Sequence, residues 1–146
     1  EIISLCIASY FVNGCLSIKE KKKPSDIKHT FNHNGWILTC AFSPDNKCVA
    51  SGGDDYILFV RNLKTGYIKY TFEHDYYLHM CAFSPDNKWI ALCYGGDNKL
   101  IVRNLKTGEI KHIFEMEGRI VTCAFSPNNK WVAYGGGDGE LIVRNL

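Results

Sequence analysis

The sequence predicts an all-β repeat fold, a row of small antiparallel sheets of four strands each, and three observations carry it. The octapeptide Cys40-Ala-Phe-Ser-Pro-Asp-Asn-Lys47 returns from Cys81 to Lys88 and, with one Asp replaced by Asn, from Cys123 to Lys130, giving steps of 41 and 42 residues. A second marker keeps the same spacing: Val60-Arg-Asn-Leu-Lys-Thr-Gly66, Val102 to Gly108, and Val143-Arg-Asn-Leu146. No window shows a helical period, while short apolar runs bounded by Gly, Pro, Asn and Asp recur along the chain. A period of ~40–45 residues is that of a β-propeller blade.

The copy from Ile37 to Phe72 shows how one blade is built. Ile37-Leu-Thr-Cys-Ala-Phe42 is short and apolar and reads as a buried first strand. Ser43-Pro-Asp-Asn46 is a turn: Pro44 presets φ, and Asp45 and Asn46 tolerate bridge and left-handed conformations. Cys48-Val-Ala-Ser51 is the second strand. The link to the third is a tight hairpin, Asp55-Tyr56, Asp97-Asn98 and Asp138-Gly139 in successive copies, for which a type I′ turn with two positive φ angles is expected. The third strands are apolar on consecutive residues (Leu58-Phe-Val60, Leu100-Ile-Val102, Leu141-Ile-Val143), which predicts cover on both faces by neighbouring blades. After the Leu63-Lys-Thr-Gly66 turn, Ile68 to Phe72 is the fourth strand and the outermost, because Lys69 and Tyr70 interrupt its apolar residues.

The blade boundaries that follow are 1–31 for a partial blade, 32–72 and 73–114 for two full ones, and 115–146 for a second partial one. The opening is a worn copy: Cys6-Ile-Ala-Ser9 aligns with Cys48-Val-Ala-Ser51, and Ile27 to Phe31 with Ile68 to Phe72. About 3.5 blades are present, whereas closed propellers usually need ~4–8. The chain is therefore expected to be a piece of a longer polypeptide, with completion of the ring by partner chains as the alternative. Its end blades would otherwise present large apolar faces to water.

Composition excludes several function classes. The 17 basic and 15 acidic side chains give a net charge of +2, so no nucleic-acid or membrane field is expected. Ile2 to Val12 is too short to span a bilayer, which needs ~20 apolar residues. The Lys19 to Lys23 run reads as a solvated loop. Of the seven cysteines, Cys40, Cys81 and Cys123 share one repeat position inside an apolar run and read as small core residues. No C-x-x-C pair exists, which leaves a zinc site unsupported and fits a reduced, cytoplasmic or otherwise intracellular protein.

Sites for chemistry are equally poorly supported. His33 and His74 are repeat equivalents, as are His29 and His112; His79 stands alone, with Leu38 and Val121 at its position, and reads as a core or channel-lining residue. Gly135-Gly-Gly-Asp-Gly139 lacks the Gly-Lys-Ser/Thr ending of a phosphate loop. No nucleophile arrangement or acid pair rises above the repeat pattern. No catalytic residue, metal ligand, cofactor or small-molecule substrate is expected.

In order and spacing, His33-x-x-Trp-Ile37, the Ser-Pro-Asp turn, Ala50-Ser-Gly52, the hairpin Asp55 and Val60-Arg-Asn-Leu63 resemble the WD-repeat (WD40) family along essentially the whole chain. The family's name dipeptide, Trp-Asp, is Arg61-Asn62, Arg103-Asn104 and Arg144-Asn145 here. The resemblance implies a structural network in each blade joining a His, a hairpin Asp, a strand Ser or Thr and that Trp. His33, Ser51 and Asp55 keep three of the four; His74 and Asp97 remain in the next copy, with Cys93 read at the Ser position; Asp138 alone remains in the last, with Met116 and Tyr134 for His and Ser. Two readings of the arginines are open: Arg61 reaches back to Asp55 and Ser51 as a charged fork, or its head lies in water with its stem packed.

The family resemblance also implies a non-catalytic scaffold for protein or peptide partners within a multi-subunit assembly. A structural subunit completed by another propeller or by its own copies is an alternative, as is a regulatory propeller attached to an enzyme. Binding is expected on the face that carries the hairpins and the segments before each first strand. Candidate partner-binding residues there are Asn34, Trp36, Asp54, Asp75, Tyr77, Glu117 and Arg119, since exposed aromatics and Arg are frequent interface anchors.

Overall fold

Three antiparallel sheets stand side by side in the computed structural model, which describes residues 27–146. Most of the expected first partial copy, 1–31, lies outside the described residues. Residues 31–146 form one compact unit; of the unit before it only 27–30 are described, and they carry no strand or helix. The first sheet orders β1 (Ile37–Phe42), β2 (Cys48–Gly53), β3 (Ile57–Asn62) and β4 (Ile68–Glu73) as a simple meander. The second repeats it with β5 (Leu78–Phe83), β6 (Trp89–Tyr94), β7 (Lys99–Asn104) and β8 (Ile110–Glu115). The third holds β9 (Ile120–Phe125), β10 (Trp131–Gly136) and β11 (Leu141–Asn145). The described fold is all-β, two four-stranded sheets and one of three strands, consistent with the blades that the period predicts.

Each Ser-Pro turn is closed by its own side chains. Ser43 Oγ donates to Asp45 Oδ1 at 2.6 Å and accepts from Cys48 N at 2.8 Å, while Asp45 Oδ1 also accepts from Lys47 N at 3.0 Å. Ser84 with Asp86 and Ser126 with Asn128 repeat the pattern. The Asn that ends each turn is left-handed, with φ of 57°, 59° and 58° at Asn46, Asn87 and Asn129. These asparagines also link turns: Asn129 Oδ1 accepts from Asp86 N at 3.1 Å, and Asn87 Oδ1 from Asp45 N at 3.5 Å. Asn62 and Asn104 cap the turn between third and fourth strands, each Oδ1 accepting from two following backbone N–H groups.

The hairpin between second and third strands is not the expected type I′ turn. Only one residue per hairpin has positive φ: Tyr56 at 61°, Gly96 at 84° and Gly139 at 83°. The ladder's last pairs are Gly52 with Leu58 and Gly135 with Leu141, which leaves five residues between partners, one of them left-handed, in place of a two-residue turn. In the second sheet Cys93 pairs with Leu100, so that hairpin is one residue longer. This insertion is why the second step of the repeat is 42 and not 41.

The core lies between sheets. One cluster joins Ala50, Leu58 and Val60 of the first sheet to Leu78, Phe83, Ile90 and Leu92 of the second. The other joins Ala91, Leu100 and Val102 of the second sheet to Ile120, Val132 and Tyr134 of the third. Consecutive apolar residues on β3 and β7 are covered on both faces, as expected. On β11 they are not: Leu141 is 70% and Val143 55% exposed, whereas Leu58 and Leu100 are fully buried. Cys81 and Cys123 are buried, but Cys40 is exposed, on the face of the first sheet that points away from the second. Thr39 crosses between sheets, its Oγ1 accepting from Cys81 N at 3.1 Å.

Candidate functional site

At the hairpin end of every sheet, the residue before the first strand is pinned to the hairpin. The carbonyls of Trp36, Tyr77 and Arg119 accept from Asp54 N (3.1 Å), Gly95 N (2.9 Å) and Gly137 N (3.2 Å). Asp54 Oδ1 returns a bond from Trp36 N at 2.5 Å. Three side chains at one repeat position are thus held on rigid backbone. Trp36 is 78% exposed, whereas Tyr77 is half-buried, lying flat against the backbone of Gly95 where a Cβ would collide with its ring. Arg119 reaches across the sheet boundary to within 5.9 Å of the Tyr77 ring centre.

The remaining candidates divide. Asn34 donates its backbone N–H to Asp55 Oδ2 at 3.3 Å, and the Glu117 carbonyl accepts from Asn98 Nδ2 at 3.2 Å. Asp75 is exposed beside His74. Tyr77 and Arg119 are brought together; among the described residues Trp36 makes no ring contact with either.

The first sheet holds a complete polar chain. His33 Nδ1 lies 2.9 Å from Asp55 Oδ2, and His33 Nε2 lies 2.9 Å from Ser51 Oγ, which accepts from Arg61 Nη1 at 3.2 Å. A carboxylate only accepts, so Nδ1 donates its N–H to Asp55; in the neutral imidazole Nε2 then accepts from the Ser51 hydroxyl. Arg61 is buried, which removes the reading with its head in water. It reaches Ser51 but not Asp55, whose carboxylate His33 has taken.

In the second sheet the chain is broken. The strand register puts Leu92, not Cys93, at the Ser51 position, since Cys81 faces Leu92 as Cys40 faces Ser51. His74 Nδ1 meets Tyr94 Oη at 2.9 Å instead, and its Nε2 is buried with no hydrogen-bond partner. Burial, with the nearby Arg103 charge, lowers the His74 pKa to about 4. Asp97 pairs with Lys99 at 3.8 Å. In the third sheet Arg144 Nε donates to Tyr134 Oη at 2.9 Å, and Asp138 Oδ1 accepts from Glu140 N at 3.1 Å.

One contact is common to all three arginines. The guanidinium of Arg61 lies 4.8 Å from the Phe31 ring centre, that of Arg103 lies 5.2 Å from Phe72, and that of Arg144 lies 5.5 Å from Phe114. Phe72 and Phe114 stand next to last in β4 and β8, and Phe31 holds the equivalent sequence position in the copy before. Sequence reading sought partners for arginine among acids and missed these; the clue was a Phe 30 or 31 residues upstream of each Arg. His79 is half-buried, its ring 6.3 Å from Tyr77, and burial lowers its pKa. Among the described residues no His, Cys, Asp or Glu cluster is placed to hold a metal, and no helix is long and apolar enough to cross a membrane.

Three successive segments match one family model, the WD domain, G-beta repeat, at residues 25–61, 66–104 and 108–145. The chain belongs to the WD40 family. No curated protein matches it at a significant level. WD40 repeats are in general protein-interaction scaffolds, and the geometry shows how this copy set does without the family's tryptophan. Arg103 and Arg144 lie between sheets over Phe72 and Phe114, and Asn62 and Asn104 cap the turns that follow.

Proposed function

We propose that this chain is a non-catalytic WD40 scaffold that binds a protein or peptide partner at the hairpin end of its sheets. The observation that carries the reading is the row Trp36, Tyr77 and Arg119: three anchor-type side chains at one repeat position, each fixed through its carbonyl to the adjacent hairpin. Asn34, Asp54, Asp75 and Glu117 surround the row as its polar rim. Fixed aromatics lose little conformational freedom on binding, and the three rim carboxylates favour a polar protein surface over a nucleic acid or an anionic membrane. Trp36→Ala and Arg119→Glu, each made in the chain and compared by pulldown, are expected to lose the partner while the thermal midpoint stays within a few degrees. Retention of every partner by both variants would overturn the site.

A second reading is favoured by the bare face of the third sheet. Leu141 and Val143 are exposed where Leu58, Leu100, Val60 and Val102 are sealed by the next sheet. That face suits a further blade, from another propeller or a second copy. Sedimentation of the chain at micromolar concentration checks it: a persistent monomer whose bare face binds no apolar dye would exclude this role.

A further inference from the structure

At the end of the sheets opposite Trp36, a cavity of about 350 Å³ opens between the first sheet and the second, at the lower end of the range for ligand pockets. Its apolar walls are Val60, Tyr70, Phe83 and Leu105, with Cys48 set back among them. The repeat explains the space. Cys48 stands at the position of Trp89 and Trp131 in the other two copies, so the first sheet lacks the indole that its sisters carry. The sister copy also shows what the vacancy is shaped for. Lys111 Nζ sits 4.6 Å from the Trp89 ring centre; its equivalent, Lys69, lines the cavity and turns to the Tyr70 ring at 5.2 Å.

Charge at the rim completes the description. Lys69, Lys88 and Lys106 line the mouth and are exposed. One carboxylate, Asp45, is also there, and it is already engaged by Ser43 Oγ, by the Lys47 backbone N–H and by Lys47 Nζ at 3.9 Å. Lys88 leans on Asp86 at 3.8 Å but stays largely in water. The rim is therefore cationic around an apolar slot whose equivalent in the next copy is packed by Trp89.

We propose that this slot takes a tryptophan side chain from an acidic segment of a partner protein, with the indole against Val60, Phe83 and Leu105 and the flanking carboxylates on the three lysines. The indole gains a lysine over its face as Trp89 has, and the acidic neighbours speed encounter and select against basic segments. The site is separate from the hairpin-end row.

The test titrates the 146-residue chain with the fluorescently labelled peptide Glu-Asp-Trp-Asp-Glu, read by anisotropy. Saturable binding is expected, weakened at least tenfold when Ala replaces the peptide's Trp, and weakened again at high salt. Cys48→Trp, which installs the side chain that Trp89 already seats in the next copy, is expected to lose at least tenfold in affinity with no fall in thermal midpoint. Lys69→Glu with Lys106→Glu is expected to lose a similar factor, and this pair decides the matter if Cys48→Trp fails to unfold cooperatively. Equal affinity of Cys48→Trp and wild type, equal affinity of the Ala peptide, or unchanged affinity of the double Lys variant each overturns the proposal. Competition by free indole-3-acetate at the same concentration as the peptide would overturn the protein segment as occupant.

Discussion

The guanidinium of Arg103, on the third strand of one sheet, lies over the ring of Phe72, on the last strand of the sheet before it, at 5.2 Å. The Nε of Arg103 is buried with no hydrogen-bond partner, whereas Arg61, at the same repeat position, donates to Ser51. The two arginines therefore differ in what a neutral replacement removes. Arg61→Met strips a buried hydroxyl of its donor and is expected to destabilise by about 1–3 kcal/mol. Arg103→Met loses a cation–ring contact of about 0.5–2 kcal/mol but relieves an unsatisfied donor, so its net effect is expected within about 1 kcal/mol of zero. Urea midpoints of the two variants give the comparison directly, and equal losses would contradict it.

His33 and His74 make a similar pair. The His33 and Asp55 side chains are almost completely buried and bond only 2.9 Å apart. His33→Leu leaves the buried carboxylate with only the long backbone N–H bonds from Asn34 and Ile57 and is expected to cost about 2–4 kcal/mol. His74 contacts a neutral tyrosine hydroxyl, so His74→Leu is expected to cost about 1 kcal/mol or less at pH 7. Chemical denaturation of both variants at pH 7 tests the ordering.

Acid weakens the fold through His74. Its folded pKa, about 4, is below the unfolded value of 6.5, so between those limits the unfolded chain binds the extra proton. Stability is then full above about pH 6.5 and falls as pH drops towards 4, by roughly 2 kcal/mol once partial solvation of the ring is allowed for. His79 and His112 shift the same way. Denaturation midpoints of wild type and His74→Leu at pH 7, 5.5 and 4.5 should converge and then cross as pH falls; parallel curves would reject this account.

Asn129 serves two ends, a left-handed turn and a bond to Asp86 of the neighbouring sheet. Glycine keeps the first and loses the second; alanine loses both. Asn129→Gly is expected to cost about 0.5–1.5 kcal/mol, and Asn129→Ala about 1–2 kcal/mol more for the left-handed backbone. Calorimetric midpoints in the order wild type, Gly, Ala are the expected result.

Tyr56 is a bulky residue at φ 61°, exposed at its hairpin. Tyr56→Asn suits that conformation better and is expected to stabilise by about 0.5–1 kcal/mol. A lower melting temperature for the variant would show that the tyrosine contributes a contact worth more than its strain.

Much of this was legible from residues alone because the repeat states each element several times. The Ser-Pro turns, the strand order and the edge position of the fourth strand follow from local chemistry that no tertiary contact overrides. The hairpins were misjudged because Asp-Gly and Asp-Tyr signal a turn without fixing its length; the extra residue near Gly96 sets the register. That register also moved the serine position from Cys93 to Leu92, since a one-residue count across a longer loop flips a side chain to the other face. The arginine partners were hidden for a different reason. They lie in the preceding copy, and a reading confined to one blade cannot reach across the joint. The exposure of Cys40 reflects its place on an outer face, which the shared sequence of the three cysteines does not encode.

The Arg103–Phe72 and Arg144–Phe114 joints each tie a sheet only to its immediate neighbour, so the three described sheets are a row of tiles held at their seams. Loosening one seam leaves the tiles beyond the next one undisturbed, and fraying starts at whichever tile has a single seam. The sheet from Leu78 to Glu115 is clasped twice, by Arg103 on Phe72 and by Arg144 on Phe114. Its backbone amide protons are the last that deuterated solvent will replace.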